Sequence, residues 1–343
     1  MEDKILQLRF LELVKQKHGS EDNWIETLAE LLNISKSGVY KKIRSDTLLS
    51  LGEIAVLMKK YNVGIDEMIL GKKSNIDFYF PYLEREVKSF ADYILPLKKV
   101  IGDFYLIPHL QIFYATSELP FFYYYMSKDL TYFKLFTYAQ TTWELPGYAE
   151  RKFNLDKFAE YPVLKEDIDE LLKMYFQMPN TEFWKISILN NTLNQIRTFL
   201  YGGLFEIPEQ SLILLDELRR LMKHVCKMAE CGCKFMPEQK GPDKKSKPFH
   251  LYHNEIVHSN NTLLVLSDHL NAVFNAYDNP NFIISSNDLL IEHTKTWFER
   301  IKKSAVSVSK DARTNRLYLF DQIEQNISWT QRELEVYLAR LKR

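Results

Sequence analysis

The chain has 343 residues, more than one hydrophobic core usually fills, so two or three domains are expected. Its 45 basic and 45 acidic side chains balance, which excludes a uniformly basic nucleic-acid coat and means that any DNA contact must come from a local patch. Glycine and proline are scarce, with 11 and 12 residues, which favours long helices and argues against a β-sandwich or a disordered chain.

The amino terminus and the cysteines bear on localisation. The segment MEDKILQLRF is charged and amphipathic, unlike the apolar core of a secretory signal. No run approaches the roughly 18 apolar residues of a membrane span. Cys226, Cys231 and Cys233 are crowded and odd in number, which suits a reducing compartment better than a disulfide framework. We therefore expect a cytoplasmic protein with no membrane partner.

Five short helices are predicted for the amino-terminal part of the chain, which we assign to a domain over residues 1–72. Apolar residues recur at helical spacing, and breaks rich in capping residues separate the helical segments. Ser35 is a plausible N-cap for the third helix, and GKKSN at 71–75 reads as an exit linker. The predicted helices cover residues 2–17, 24–32, 36–44, 50–61 and 62–70.

The second and third helices have the layout of a helix-turn-helix, which places its second helix in the major groove of DNA. Ala29 supplies the small residue needed where the two helices pack closely, and Ile34 fills the angle between them. Val39 and Ile43 point inward from the third helix. The opposite side of that helix is therefore predicted to face DNA.

The predicted DNA-binding residues combine hydroxyl groups with basic side chains. Arg and Lys can donate hydrogen bonds to guanine, and Ser or Tyr can contact bases or phosphates. Ser35 and the helix amino terminus suit a phosphate. The candidate residues are Ser35, Lys36, Ser37, Tyr40, Lys41 and Arg44.

The segments LAELLNISKSGVYKKI and LSLGEIAVLMKKYNVGIDEMI together carry a family resemblance. They resemble the Cro/lambda-repressor (Xre-type) domain, and VYKKIRSDTLLSLGEIAVLMKKYNV is similar to its BetR-like subgroup at the amino terminus of longer bacterial regulators. The resemblance covers roughly residues 4–70 and implies DNA binding. The chain departs from the pattern at Asn33, where glycine is common, but asparagine tolerates a left-handed turn.

Residues 77–236 are predicted to form a helical dimerisation and regulatory domain. KEDIDELLKMYF at 165–176 has its apolar residues at helical spacing, and the apolar run from Leu212 to Ala229 could line a helix–helix seam. The aromatic residues between 104 and 138 have two interpretations. They form either a ligand pocket or base-stacking platform, or a thick helical core or dimer interface, which we favour.

A proline- and lysine-rich loop, PEQKGPDKKSKP at 237–248, precedes a segment with a different residue pattern. The runs FHLY, TLLVLS, NAVFNAY and NFIISS are short and β-prone, with asparagine-rich turns between them. Helical patterns follow. Residues 249–343 are therefore predicted to be a small α/β module that could sense a small-molecule effector, an inference from fold analogy.

Motifs for catalysis or metal binding are weak. The chain has no GxSxG, P-loop, GxGxxG after a strand or HExxH. HVCKMAECGC contains zinc-type ligands, but its spacing is not that of a standard structural zinc site. HLYHNE would place His250 and His253 on opposite faces of a strand. We predict no enzyme activity, no cofactor and no metal site.

The sequence as a whole predicts a mainly α protein with an amino-terminal helix-turn-helix domain, a helical middle domain and a small α/β carboxy-terminal module. The predicted function is that of a sequence-specific transcription regulator that binds double-stranded DNA as a homodimer, because one such domain contacts only a short half-site. The alternative is a protein-interaction or antitoxin-like protein whose helix-turn-helix binds a protein partner.

Overall fold

The computed structural model describes the chain as two compact units, Met1–Ile76 and Asp77–Arg343. Among the helices it describes, none is both long enough and apolar enough to cross a membrane. The described residues are 2–19, 23–64, 67, 76–81, 86–158, 161–244, 246–255, 261–278 and 280–342.

Four helices make up most of the first unit. They are α1 (Glu2–His18), α2 (Trp24–Leu32), α3 (Lys36–Ile43) and α4 (Leu51–Tyr61). The predicted fifth helix falls outside the described residues except at its beginning and at Glu67, and the predicted linker 71–75 lies wholly outside them. The helices enclose a core of buried residues, Phe10, Leu11, Val14, Trp24, Leu28, Val39, Leu49, Leu57 and Val63.

The second unit alternates helices and strands along its whole length. Its helices are α5 (Phe90–Tyr105), α6 (Lys128–Thr141), α7 (Tyr161–Phe176), α8 (Asn190–Tyr201), α9 (Gln210–Cys231), α10 (Asp288–Ser304) and α11 (Arg313–Leu341). Its strands are β1 (Gln111–Ala115), β2 (Asn180–Trp184), β3 (Phe249–His253), β4 (Thr262–Leu266), β5 (Ala272–Asp278), β6 (Asn281–Ser285) and β7 (Val306–Ser307). Short 3₁₀ helices lie at Phe121–Met126, Leu155–Lys157 and Ile186–Leu189.

One mixed sheet joins all seven described strands in the order β6-β5-β4-β1-β2-β3-β7. The β1–β2 and β2–β3 pairs are parallel, and the other neighbours are antiparallel. The fold-class prediction was therefore wrong. The four runs predicted as strands form β3 to β6, but β4 pairs with β1 and β3 pairs with β2, and both β1 and β2 come from the segment predicted to be helical. The carboxy-terminal segment is part of a larger sheet and is not a small separate module.

The two faces of the sheet follow the two-residue period of a strand. On β1, Ile112 belongs to the larger core, while Ala115 belongs to a smaller one on the opposite face. The smaller core includes Phe298 and Ile301 of α10. The sheet therefore separates α10 from a thick helical layer, and both of its faces are covered.

The helical layer is filled with aromatic residues. Every residue of α6 from Leu130 to Ala139 is buried, so this helix is enclosed on all sides. The rings of Tyr132 and Phe158 stack 4.1 Å apart, and Phe136 and Phe153 meet edge to face. Most of the aromatic residues between 104 and 138 thus belong to a core, as the favoured interpretation of that stretch has it.

The apolar face of α9 packs against α11 of the same chain. Leu215, Leu218 and Val225 are buried, and Arg219 Nε lies 2.7 Å from Glu324 Oε1 at the edge of the contact. The seam predicted along α9 is therefore filled within one chain and does not supply a free dimer surface.

A polar cluster lies inside the larger core around Glu182 of β2, whose side chain is fully buried. Tyr123 Oη and Asn180 Nδ2 donate to Glu182 Oε1 at 2.9 and 3.0 Å, and Trp184 Nε1 donates to Oε2 at 3.0 Å. The buried ammonium of Lys234 lies 3.5 Å from Oε1 and 3.9 Å from the ring centre of Tyr175. Burial lowers the pKa of Lys234 to about 8, although the carboxylate opposes this shift.

The lowered pKa of Lys234 makes stability depend on pH. Between about pH 8 and the unfolded lysine value of about 10.4, the unfolded chain binds more protons than the folded chain, so folding becomes more favourable as pH rises. We expect the wild-type free energy of unfolding to increase relative to that of Lys234→Met across this range, by an amount on the order of 1–3 kcal/mol.

Denaturant unfolding of both proteins between pH 7.5 and 10.5, with the unfolding of unit Asp77–Arg343 followed by tryptophan fluorescence, measures this difference. Lys173→Met is the matched control, because Lys173 is exposed on α7. For the control we expect the difference in free energy of unfolding from wild type to stay constant with pH. The same constancy for Lys234→Met would contradict the prediction.

Candidate nucleic-acid interface

Helices α2 and α3 meet through a tight turn at Asn33. Asn33 adopts a left-handed conformation, with φ 52°, and the N–H of Ile34 donates to the carbonyl of Ala29 at 3.0 Å. Ser35 then begins α3, because its Oγ accepts the Gly38 N–H at 3.2 Å. These local hydrogen bonds set the angle at which α3 leaves the turn.

The inner side of α3 is fixed by apolar contacts. Val39 is fully buried, while Ala29, Ile34 and Ile43 are partly buried and pack against the same core. The spacing of Val39 and Ile43 directs both side chains toward α2 and leaves the opposite side of α3 to solvent.

Every residue predicted to bind DNA lies on the exposed side of this motif. The side chain of Tyr40 is 52% exposed, so its ring is available to a partner. Ser35 is exposed as well, but its hydroxyl oxygen already caps α3. The exposed residues are Ser35, Lys36, Ser37, Tyr40, Lys41 and Arg44.

Two of the three cations on this face have carboxylate partners. Lys36 Nζ pairs with Glu26 of α2, and Arg44 Nε lies 3.2 Å from Asp46 Oδ2. The hydrogen bond and charge of Lys36 lower the pKa of Glu26, and Glu26 in turn raises the pKa of Lys36. Both pairs are exposed, so solvent and salt screen them and a phosphate could compete for either cation.

Gln7 of α1 secures the segment that follows α3. Its side-chain amide donates to the carbonyls of Lys42 and Thr47 at 2.7 and 2.9 Å, and its Oε1 accepts the Leu49 N–H at 2.6 Å. The Gln7 side chain is buried, so these three hydrogen bonds are shielded from water. One amide thus connects α1 with the segment between α3 and α4.

An ion pair ties α3 to the beginning of α4. Lys42 Nζ lies 2.9 Å from Glu53 Oε2, and Glu53 forms a capping box with Ser50. Burial alone would raise the pKa of Glu53, but hydrogen bonds from Lys42 and Ser50 lower it. Lys42 is therefore a positioning residue, unlike its exposed neighbour Lys41.

Sequence reasoning missed the role of Gln7. The buried stripe of α1 is Gln7, Phe10, Leu11 and Val14, whereas Ile5 and Leu8 are about half exposed. The spacing of Phe10, Leu11 and Val14 could have revealed Gln7 as the polar first member of the buried stripe.

Two histidines of the other candidate motifs contact neighbouring groups of the chain. Within the described part of the chain, no group of three or more His, Cys, Asp or Glu side chains is arranged to hold a metal ion. His224 Nε2 lies 2.8 Å from the carbonyl oxygen of Phe235, and His253 Nε2 lies 3.0 Å from Glu255 Oε1. Gly232, between Cys231 and Cys233, ends α9 in a left-handed conformation.

Comparisons of the chain with models of protein families, with curated proteins and with solved structures find no match. The resemblance to Xre-type domains therefore stays a prediction.

Removing the Gln7 amide should destabilise the first unit. Gln7→Ala leaves one buried N–H and two carbonyls without their partner, and we expect a loss of about 2 kcal/mol in its free energy of unfolding. Gln16→Ala makes the same change at an exposed position of α1 and should stay within about 0.5 kcal/mol of wild type. Hydrogen exchange of the Leu49 amide measures the effect locally, and equal protection in both variants would contradict the assigned role.

Proposed function

We propose that the unit Met1–Ile76 binds double-stranded DNA in a sequence-specific manner and that the chain regulates transcription. The observation that carries the proposal is the exposed face of α3. Lys36, Tyr40, Lys41 and Arg44 lie together there on a helix whose other side is anchored by Val39 and Ile43. A short, exposed, basic helix held by a preceding helix suits insertion into a major groove.

The charge distribution supports the same proposal. The chain has no net charge, so broad electrostatic attraction to DNA is absent and binding would depend on this local face. A single face of this size contacts a short half-site, and useful affinity requires two copies at a fixed spacing. We therefore propose a homodimer.

The outer side of α11 is a candidate surface for dimerisation. Tyr318, Trp329 and Val336 lie along one side of this helix and are 53, 69 and 55% exposed. Apolar groups that are aligned and exposed in this way favour contact with another apolar surface. We therefore place the proposed dimer contact on the outer side of α11 and not along α9, whose apolar face is already covered by α11.

The DNA-binding proposal is tested with Lys41→Ala/Arg44→Ala. Electrophoretic mobility shifts with fragments selected from the source genome should show specific binding by the wild type. We expect the double variant to lose at least about tenfold in affinity, because each such contact contributes about 1–3 kcal/mol.

The control is Lys59→Ala/Lys60→Ala, which removes the same charge from exposed positions at the end of α4. Its affinity for DNA should stay within about threefold of that of wild type, because only the general salt-dependent attraction is reduced. Equal losses in both double variants would reject α3 as the reading face. If no fragment competes better than random duplex at moderate salt, the regulator proposal fails and a protein partner becomes the better hypothesis.

Freeing Lys36 from its carboxylate partner should strengthen DNA binding. Glu26→Gln removes the competing charge, and we expect affinity to rise about two- to fivefold, the scale of an exposed ion pair. Glu30→Gln is the control, since Glu30 is an exposed acid on the same helix that is not the partner of Lys36. Binding titrations at fixed salt measure both variants. An equal rise in both would show that only net charge matters, and Lys36 would then have no specific role.

A further inference from the structure

A cavity of about 470 Å³ lies in the second unit between α5 and the sheet. Its walls come from α5, from strands β1, β4, β5 and β6, and from the 3₁₀ helix Phe121–Met126. The volume is in the range of small-molecule sites, which is roughly 300–1,000 Å³. All of the lining residues belong to the unit Asp77–Arg343.

The walls are predominantly apolar and aromatic. Phe122 stacks on Tyr175 at 4.1 Å, and Tyr93 meets Phe121 edge to face at 6.0 Å. Phe104 of α5 contacts Phe274 of β5 in the same manner at 6.0 Å. Rings that are already fixed by one another can contact an aromatic ligand without losing much side-chain freedom.

Among the described residues, the only charged groups in the wall are the carboxylates of Asp92 and Glu118. None of the described residues that line the cavity is a lysine, an arginine or a histidine. Lys134 does not line the cavity, but its Nζ lies 3.3 Å from Glu118 Oε1, so this ammonium offsets part of the Glu118 charge. The described charged groups that line the cavity are thus two carboxylates, one of them paired with a lysine, and their excess negative charge disfavours an anion relative to a cation.

Pro96 also lines the cavity. It lies inside α5 and has no N–H, so it cannot donate the usual helical hydrogen bond to the carbonyl of Asp92. The Asp92 carboxylate itself accepts hydrogen bonds from Ser89 Oγ and the Lys88 N–H, and the N-cap of the helix is Ser89, whose Oγ accepts the Asp92 N–H. The Asp92 carboxylate thus lies where α5 begins, one residue before Tyr93.

We propose that this cavity binds a lipophilic organic cation with an aromatic body. Faces of the surrounding rings would contact the apolar groups and stabilise the positive charge, and the carboxylates of Asp92 and Glu118 would set the preference for its sign. Binding at this site does not depend on the DNA-binding proposal; only an effector role for the ligand would rest on it.

Two ions of nearly the same shape and opposite charge test the proposal. Tetraphenylphosphonium and tetraphenylborate are titrated separately into the full chain by calorimetry at fixed salt. We expect saturable binding of the phosphonium with one site per chain, and at least about tenfold weaker binding of the borate. Equal or tighter binding of the borate, or no saturable binding of the phosphonium, would overturn the proposal.

Paired variants on α5 locate the site. Leu97 lines the cavity, whereas Leu95 is 48% exposed on the same helix and does not line it. Leu97→Trp should weaken phosphonium binding at least about tenfold by filling the cavity, while Leu95→Trp should leave it unchanged. Val100→Trp fills the wall from its exposed edge and serves as the second variant if Leu97→Trp unfolds. Equal affinities of the cavity-filling variants and Leu95→Trp would place the ion elsewhere and reject this cavity.

Discussion

The buried carboxylate of Glu182 is the constraint on which the second unit depends. A charge in an apolar core is tolerated only when it is hydrogen-bonded or paired with an opposite charge, and here the hydrogen-bond donors and the ion-pair partner come from several distant segments. Tyr123 belongs to the 3₁₀ helix after β1, Trp184 to β2 itself and Lys234 to the segment after α9. The cluster can form only when β2 is in its register with β1 and β3, so it specifies the pairing of the parallel strands as well as the packing above them.

The cavity and the polar cluster share Tyr175. Its ring stacks on Phe122 at the cavity wall, while its hydroxyl accepts the Asn180 amide at 3.1 Å within the cluster. A ligand that displaces Phe122 would therefore also displace the Tyr175 ring, whose hydroxyl is hydrogen-bonded to Asn180. Since closely packed interiors transmit small displacements, this ring is a direct physical route from the cavity to the middle of the sheet.

Local features of the first unit could be predicted from sequence, whereas long-range features of the second could not. The Ser35 cap, the Asn33 turn and the inward Val39 are set by neighbours a few residues away, so spacing alone reveals them. The strands QIFYA and NTEFW have only five residues each, which is too short to show a period, and they pair with segments far along the chain. Gln7, Glu182 and Lys234 are polar residues whose burial depends on distant partners, and the cavity is a property of the assembled layers.

The hydrogen bonds of Gln7 limit how far the first unit can be shortened from its amino terminus. A fragment starting near residue 20 would keep both helices of the motif and every exposed side chain of α3. It would lose the buried amide that holds Lys42, Thr47 and Leu49, and also Phe10 and Val14 from the core. We therefore expect a stable fragment of the first unit to need α1, and a bulky fusion placed directly before Glu2 would lie between one and two helical turns from that amide.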